Sequence, residues 1–585
     1  MLDTAPVAGQ HAAMSQSTQG DAPTEPPGDS PIFALADRYI RESCALDPNR
    51  ATGLGVPGYD DRITDYSPAG VESRAELDRN TLVALAALEP VDERDRLAAA
   101  FMVERLDTAL GFVDAHEDLR AVRNIGSPLQ GIRQVFDMMA RESVTDWEVI
   151  ARRMRAVPAA LAGLRDALQT GLDRDIVAAR RQAAEAAEQA AVWGGLRDAA
   201  PFFEVLATQG GASDGVDTAL GQELDEAAVR ATMAYGDMAG FLADTYAPRA
   251  AERDAVGAER YAFWARASLG AELDIAETYA WGWDELFRIE ADMTEVCARI
   301  RPDASIGETI AFLETESPLV IEGEAALQAW LQDLMDETIA DLDGKHFDIP
   351  GPVQRVEAMI APPGGAAAMY YTGPSEDFSR PGRTWYPTLG KTRFPLWGEV
   401  SIAYHEGVPG HHLQIGQVRY LRDSLSRFQR SSGVSGHAEG WALYAERLMD
   451  ELGYLGEPAY RLGMLRAQAM RAVRVIVDIG MHLELEIPGG QDFHPGERWT
   501  PALGQTFVNE RSRFPVDFMA SEIVRYLGWP GQAISYKVGE RVWLDGRAAA
   551  EARHGAAFDL KAFHAFALDL GPLGLDLLTD ELARF

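Results

Sequence analysis

From Pro31 onward the apolar positions recur at helical spacing. Leu35 and Ile40 open a first amphipathic segment, Leu77 to Leu106 is rich in Ala, Leu, Glu and Arg, and Asp173 to about Trp193 carries the same texture. Successive helices are therefore predicted to about Ala200, as a scaffold. The run Thr208 to Asp217 (TQGGASDGVD) breaks the pattern and predicts a flexible connection, after which helical texture resumes to about Leu342. Between Val353 and Thr388 the rhythm changes. Val356, Met359 and Ile360, then Met369, Tyr370 and Tyr371, are interleaved with Pro/Gly-rich pieces, which predicts short strands and a small sheet. Helices return from about Trp397 to Glu486, stop at the turn-rich IPGGQDFHPGERWTP, and continue to the end. Residues 1–30 hold almost no large apolar groups, so burial cannot offset ordering entropy and a disordered tail is expected. The predicted organisation is a mainly α chain without fixed-period repeats: a helical scaffold lobe over 31–350 and a second lobe over 351–585, joined as one continuous unit.

Composition narrows the function classes. A chain of 585 residues, 47% hydrophobic and 25% charged, can bury a large core. Its 54 basic against 90 acidic residues give a net charge of −36, which repels phosphate backbones and anionic lipid heads and argues against nucleic-acid and membrane partners. Only four of the basic residues are lysines (Lys345, Lys391, Lys537, Lys561), a bias best explained by a GC-rich coding sequence. Two cysteines, Cys44 and Cys297, form no disulfide framework. With no basic-then-apolar leader and no long apolar run, a cytoplasmic, reducing location is expected.

The chemistry concentrates in one stretch. Four of the eleven histidines, His405, His411, His412 and His437, fall within 33 residues. His405-Glu406 begins like a zinc-hydrolase HExxH helix, in which two imidazoles share a face at i and i+4 and the Glu activates water, but position i+4 here is Pro409. On a regular helix His405 and His411 would stand about 9 Å apart along the axis and about 120° apart around it, too far for one ion. Pro409 removes an amide and Gly410 tolerates unusual backbone angles, so a two-residue loop-out could bring His411 to the second-ligand position. His412, two turns from His405 on the same face, is the lesser candidate, facing substrate or supporting the site. Zinc needs a third protein ligand. GHAEGWALYAE supplies Glu439, or Glu446 two turns on if the register differs.

HEGVPGHHLQ, HAEGWALYAERL, RAVRVIVDIGMH and PGQAISYKVGE, in that order, resemble the bacterial domain of unknown function 885 family, regarded as zinc metallopeptidases with an HExxPGHH signature. The resemblance is good over about Gly351 to Glu540. It implies a mainly α, zincin-like (gluzincin-type) fold with two lobes around a deep cleft. It also implies one zinc per chain on His405, His411 and Glu439, with Glu406 as general base, a set the spacing reaches independently. By analogy with related helical metallopeptidases, Tyr536 is expected to donate to the oxyanion. Lys537 and Arg525 are candidate anchors for a substrate carboxylate, and Tyr370, Tyr371 and Arg380 a candidate cleft edge. His437 stands where the resemblance leads one to expect an aromatic residue, so it either faces substrate or supports the site. Asp478 and His482, at i and i+4, are a candidate pair for fixing a ligand tautomer.

Competing signatures fail. Leu389-Gly390-Lys391-Thr392 lacks the upstream glycine of a phosphate loop, Trp385 standing there, and Gly433 to His437 lacks the final glycine of a nucleophile elbow. The expected activity is zinc-dependent hydrolysis of amide bonds in short peptides. The alternatives are a metal-dependent amidase of a specialised metabolite and a metal-free helical binding protein descended from a hydrolase.

Overall fold

The computed structural model describes residues 30–361 and 369–585. All of the predicted tail except Ser30 lies outside these residues. Ser30 itself caps the first helix, Pro31–Leu46, accepting from the Phe33 N–H at 3.0 Å. The protein is mainly helical, with small sheets. Among the described residues no helix is long and apolar enough to cross a membrane.

Two hydrophobic cores form. One is built entirely from residues between Val122 and Ala250, where the helices Val144–Asp173 and Thr218–Gly240 pack with Arg180–Trp193 and Phe202–Gly211. The other gathers residues from Ile32 to Leu106 together with Tyr261 to Leu582. Its axis is the helix Pro458–Leu483, buried along almost its whole length between Leu462 and His482, as expected of a helix apolar on most faces. It lies along Ile275–Ile300, and Gly282 sets how close they come, because a Cβ there would stand 2.9 Å from Val475 Cγ1.

The sheet falls where the Val353–Thr388 rhythm predicts it, with an addition. Strand β1 (Val320–Glu322) pairs antiparallel with β5 (Arg393–Pro395); β2 (Val356–Ile360) runs parallel to β4 (Gly382–Tyr386), which pairs antiparallel with β3 (Tyr370–Thr372) on its other side. The free edge of β2 is covered by side chains of the helix Glu324–Leu342. Gln328 donates to Ala358 O at 2.8 Å and Gln332 to Val356 O at 3.0 Å, while the Ala358 N–H donates back to Gln332 at 2.9 Å. β1 corrects the expectation of unbroken helical texture to Leu342. A three-residue strand is too short to show a period of two. Two helix boundaries also move: the helix expected from Asp173 starts at Arg180, because the preceding one runs to Asp173, and Thr208–Gly211 belong to a helix, leaving 212–217 as the connection.

Candidate metal centre

The helix Glu399–Glu406 carries His405 and Glu406 in its last turn and stops there. Pro409 has no amide to continue it and disfavours helical angles in Val408. The Gly410 N–H instead donates to Tyr404 O at 3.0 Å, and a new helix begins at His411 (His411–Tyr420). Gly410 is required by contact, since a Cβ would lie 2.0 Å from the His405 carbonyl oxygen. Trp441 clamps the turn by donating its indole N–H to Pro409 O at 2.8 Å. The predicted loop-out within one helix is thus corrected to a full stop and restart. The restart still turns His411 against His405, with ring centroids 4.8 Å apart and planes at 83°.

Glu439, on the helix Ser435–Glu451, completes the cluster. Its Oε2 stands 3.5 Å from Nε2 of both His405 and His411, and one ligand atom from each of the three side chains lies within 4.8 Å of the others. Two donors each about 2.1 Å from one tetrahedral ion are separated by about 3.4 Å, so 3.5 Å suits a shared cation. Two atoms of this cluster, His411 Nδ1 and Glu439 Oε2, are buried without a hydrogen-bond partner among the described residues. Two imidazoles and a carboxylate fit zinc or a similar transition ion.

Glu446 fixes the cluster from behind. It is fully buried and accepts from His405 Nδ1 at 2.8 Å and from the Ser401 hydroxyl at 2.5 Å, with Arg471 Nη2 3.5 Å away. With Nδ1–H given to Glu446, His405 turns its Nε2 toward Glu439, the arrangement that orients ligand histidines. Burial opposes charge on His405, but Glu439 and Glu446 outweigh it and hold the imidazolium up to about 9. Burial also opposes charge on Glu439, and the two imidazoles hold that carboxyl well below its usual range. The cluster therefore demands positive charge. Glu406, 7% exposed, is the next residue after His405, and among the described residues no group hydrogen-bonds its carboxylate.

The helix that carries Tyr536 packs on the helix that carries Glu439, and the two cross at glycines. Ser435–Glu451 and Ser535–His554 approach so closely that a Cβ on Gly440 would lie 2.4 Å from Gly539 C, and one on Gly539 1.9 Å from Gly436 O. Burial and then the Glu439 carboxylate push the Tyr536 phenol up, so it stays a proton donor. Its ring lies under the guanidinium groups of Arg474 at 4.6 Å and Arg471 at 5.8 Å.

Several expected site residues are engaged elsewhere. Both His412 nitrogens are occupied, Nε2–H donating to Val353 O at 2.7 Å and Nδ1 accepting from the Tyr371 hydroxyl at 2.9 Å, so His411 is the imidazole that meets Glu439. Burial pushes His412 down to about 4, which keeps it neutral in that role. His437 packs edge-on against Trp543 in the core, 5.3 Å between centroids. Tyr370 stacks on Trp385, and Arg380 ties its own loop by donating to Gly373 O at 2.8 Å. Arg525 grips Glu522 through two bonds of 2.9 and 2.8 Å. Lys537, expected to anchor a substrate carboxylate, is fully buried and donates to Glu285, Gln468 and Glu540. Asp478 accepts from the Tyr261 hydroxyl and the Gly531 N–H, and His482 bonds Tyr526 O; the tautomer-fixing carboxylate is Glu446 instead. Sequence reasoning did not assign Ser401 or Arg471. Their only signal was position, Ser401 one turn before His405 and Arg471 facing Glu446 from another helix.

A family described as "Bacterial protein of unknown function (DUF885)" matches residues 48–582. No curated protein matches the chain. Among solved structures, the fold is similar to that of a "putative lipoprotein" from Colwellia psychrerythraea, with a TM-score of 0.81 and 23% identity over 94% of this chain and 98% of that one. It is also similar to a "putative lipoprotein of unknown function" from Shewanella oneidensis, with a TM-score of 0.72 and 17% identity over 94% and 99%. At these identities the likeness is one of fold.

Proposed function

The chain belongs to the DUF885 family, and from that premise and its three-donor cluster we propose that it is a zinc-dependent hydrolase cleaving amide bonds in short peptides. The observation that carries the reading is the pair of 3.5 Å separations from Glu439 Oε2 to the two imidazoles, with a buried carboxylate, Glu406, on the residue adjoining His405. His405, His411 and Glu439 would hold the ion, which when bound supplies Lewis-acid activation of water and carbonyl.

The remaining steps belong to the chain. Glu406 takes the proton of the attacking water and passes it to the departing amine. The Tyr536 phenol, kept protonated, donates to the carbonyl oxygen as negative charge develops there. Glu446 holds the His405 proton on Nδ1 throughout. In this reading the fold is a gluzincin-type zincin with a cleft that admits extended chains and excludes folded proteins; the expected lobe boundary at residue 350 is corrected, because residues on both sides of it share one core and the separate body is Val122–Ala250.

The test is a peptide library digested by zinc-reconstituted protein and read by mass spectrometry, beside Glu406→Gln. Cleavage is expected in the wild type and is expected to fall about 10²- to 10⁴-fold in the variant at unchanged zinc content. Wild-type turnover in Glu406→Gln would remove the proposed base. Cleavage confined to non-peptide amides would reassign the substrate.

A further inference from the structure

A cavity of about 680 Å³ lies between the Val122–Ala250 body and the rest of the protein, and none of His405, Glu406, His411 or Glu439 lines it. Its volume falls within the usual range for small-ligand pockets, roughly 300–1,000 Å³. Its wall carries five arginines, Arg74, Arg120, Arg123, Arg253 and Arg260, against three carboxylates, Glu117, Asp118 and Asp254. That balance is the inverse of the whole chain, whose net charge is −36.

The pairing shows which charges remain free. Glu117 is taken by Arg260 through two bonds of 2.7 Å, with Arg120 at 3.1 Å. Asp254 is taken by Arg181, and Arg253 by Glu484. Burial pushes the Asp118 carboxyl up, and its Oδ1 is buried without a donor among the described residues. Arg123 meets no carboxylate among the described residues. It donates to the Gly126 carbonyl, and its Nε is buried without an acceptor among the described residues, as is Nε of Arg120. The Arg123 guanidinium lies between the Trp264 and Trp529 rings, 5.1 and 5.3 Å from their centroids. Partly burying a cation without a counter-ion is costly, and two aromatic faces return only a fraction of that cost. The Arg123 guanidinium beside two aromatic walls, with the unpartnered Nε of Arg120 nearby, is what an anion on an apolar body satisfies.

We propose that this cavity binds a small organic anion, a charged head on an aromatic or apolar body, with Arg120 and Arg123 holding the head and Phe112, Trp264 and Trp529 walling the body. The site stands apart from the metal cluster and does not depend on the hydrolase reading.

The test is isothermal titration of the metal-free full chain with 1-naphthoate, 1-naphthyl phosphate and the neutral 1-naphthamide. One site per chain is expected for an anionic probe, with the amide at least about tenfold weaker. Arg123→Gln should weaken the anion at least about tenfold, and Glu439→Ala should leave it unchanged. Stronger binding of the naphthoate or of the phosphate identifies the head group within the same proposal. An Arg123→Gln protein that has lost its helical circular dichroism is replaced by Arg120→Gln, held to the same criterion. Equal binding of the amide, no anion binding up to about 10 mM, or binding lost in Glu439→Ala but kept in Arg123→Gln would overturn the proposal.

Discussion

Replacing Glu446 by glutamine isolates the electrostatic part of the support behind His405. The carboxylate is fully buried and serves three groups at once: His405 Nδ1–H, the Ser401 hydroxyl and the Arg471 guanidinium. A glutamine can turn its carbonyl toward His405 and Arg471 and its amide toward Ser401, whose hydroxyl rotates to accept. The hydrogen-bond count is then preserved and only the charge is lost. Arg471 is left buried, 7% exposed, without its counter-charge, and His405 becomes a weaker donor of its Nε2 lone pair. Changes of this kind behind a ligand histidine cost about 10- to 100-fold in metal affinity, or about 1.4–2.7 kcal/mol. Removing one member of a buried ion pair costs folding about 3–5 kcal/mol, an upper bound for the isosteric change. Zinc affinity measured by competition with a fluorescent chelator, beside a thermal melt of the apo-protein, reads both. Glu446→Ala should be worse on both counts, because it also leaves a cavity and unmatched donors. Wild-type affinity in Glu446→Gln would refute the assignment of Glu446 as the group that orients His405.

Other outcomes follow from the same geometry. His411→Ala should abolish zinc binding, whereas His412→Ala should keep it, since both His412 nitrogens are used within the protein; elemental analysis of the two variants distinguishes them. Gly539→Ala forces a Cβ to within 1.9 Å of Gly436 O and should lower stability by about 1–3 kcal/mol, read by urea unfolding, while loosening the crossing between the helices that carry Tyr536 and Glu439. Burial pushes Asp478 up from 3.8 to about 7, so unfolding, which restores its ordinary acidity, is favoured as pH rises through that window. The wild type should lose on the order of 4 kcal/mol between those limits, and Asp478→Asn should lose none of it, so the difference in melting temperature should widen from pH 4 to 7; a constant difference would show that Asp478 is not held neutral.

Helical texture was readable because amphipathic repeats and caps are local, and the Pro/Gly interleaving at Val353–Thr388 marked the sheet. β1 and β5 were not readable, since three residues carry no periodicity and their pairing joins positions more than seventy apart in sequence. At the metal centre, Pro409-Gly410 announced a departure from the helix, but whether it was a bulge or a stop depends on Trp441 and on the close approach of Gly410 to His405 O. Residue type also misled where burial reversed its usual role. Lys537 suggested a substrate anchor, yet it neutralises Glu285 and Glu540 inside the core. Asp478 and His482 had the right spacing for a supporting pair but point to Tyr261, Gly531 and Tyr526. Which of several carboxylates stands behind a histidine is a long-range contact, and Glu446 takes that place 41 residues from His405.

The most direct measurement is the zinc content of the purified, reconstituted protein by mass spectrometry, taken beside His405→Ala and Glu439→Ala. About one zinc per chain in the wild type, lost in both variants while their helical circular dichroism is retained, is the expected result. A wild type that takes up no metal after reconstitution, or variants that keep a full equivalent, would contradict a metal centre on His405, His411 and Glu439.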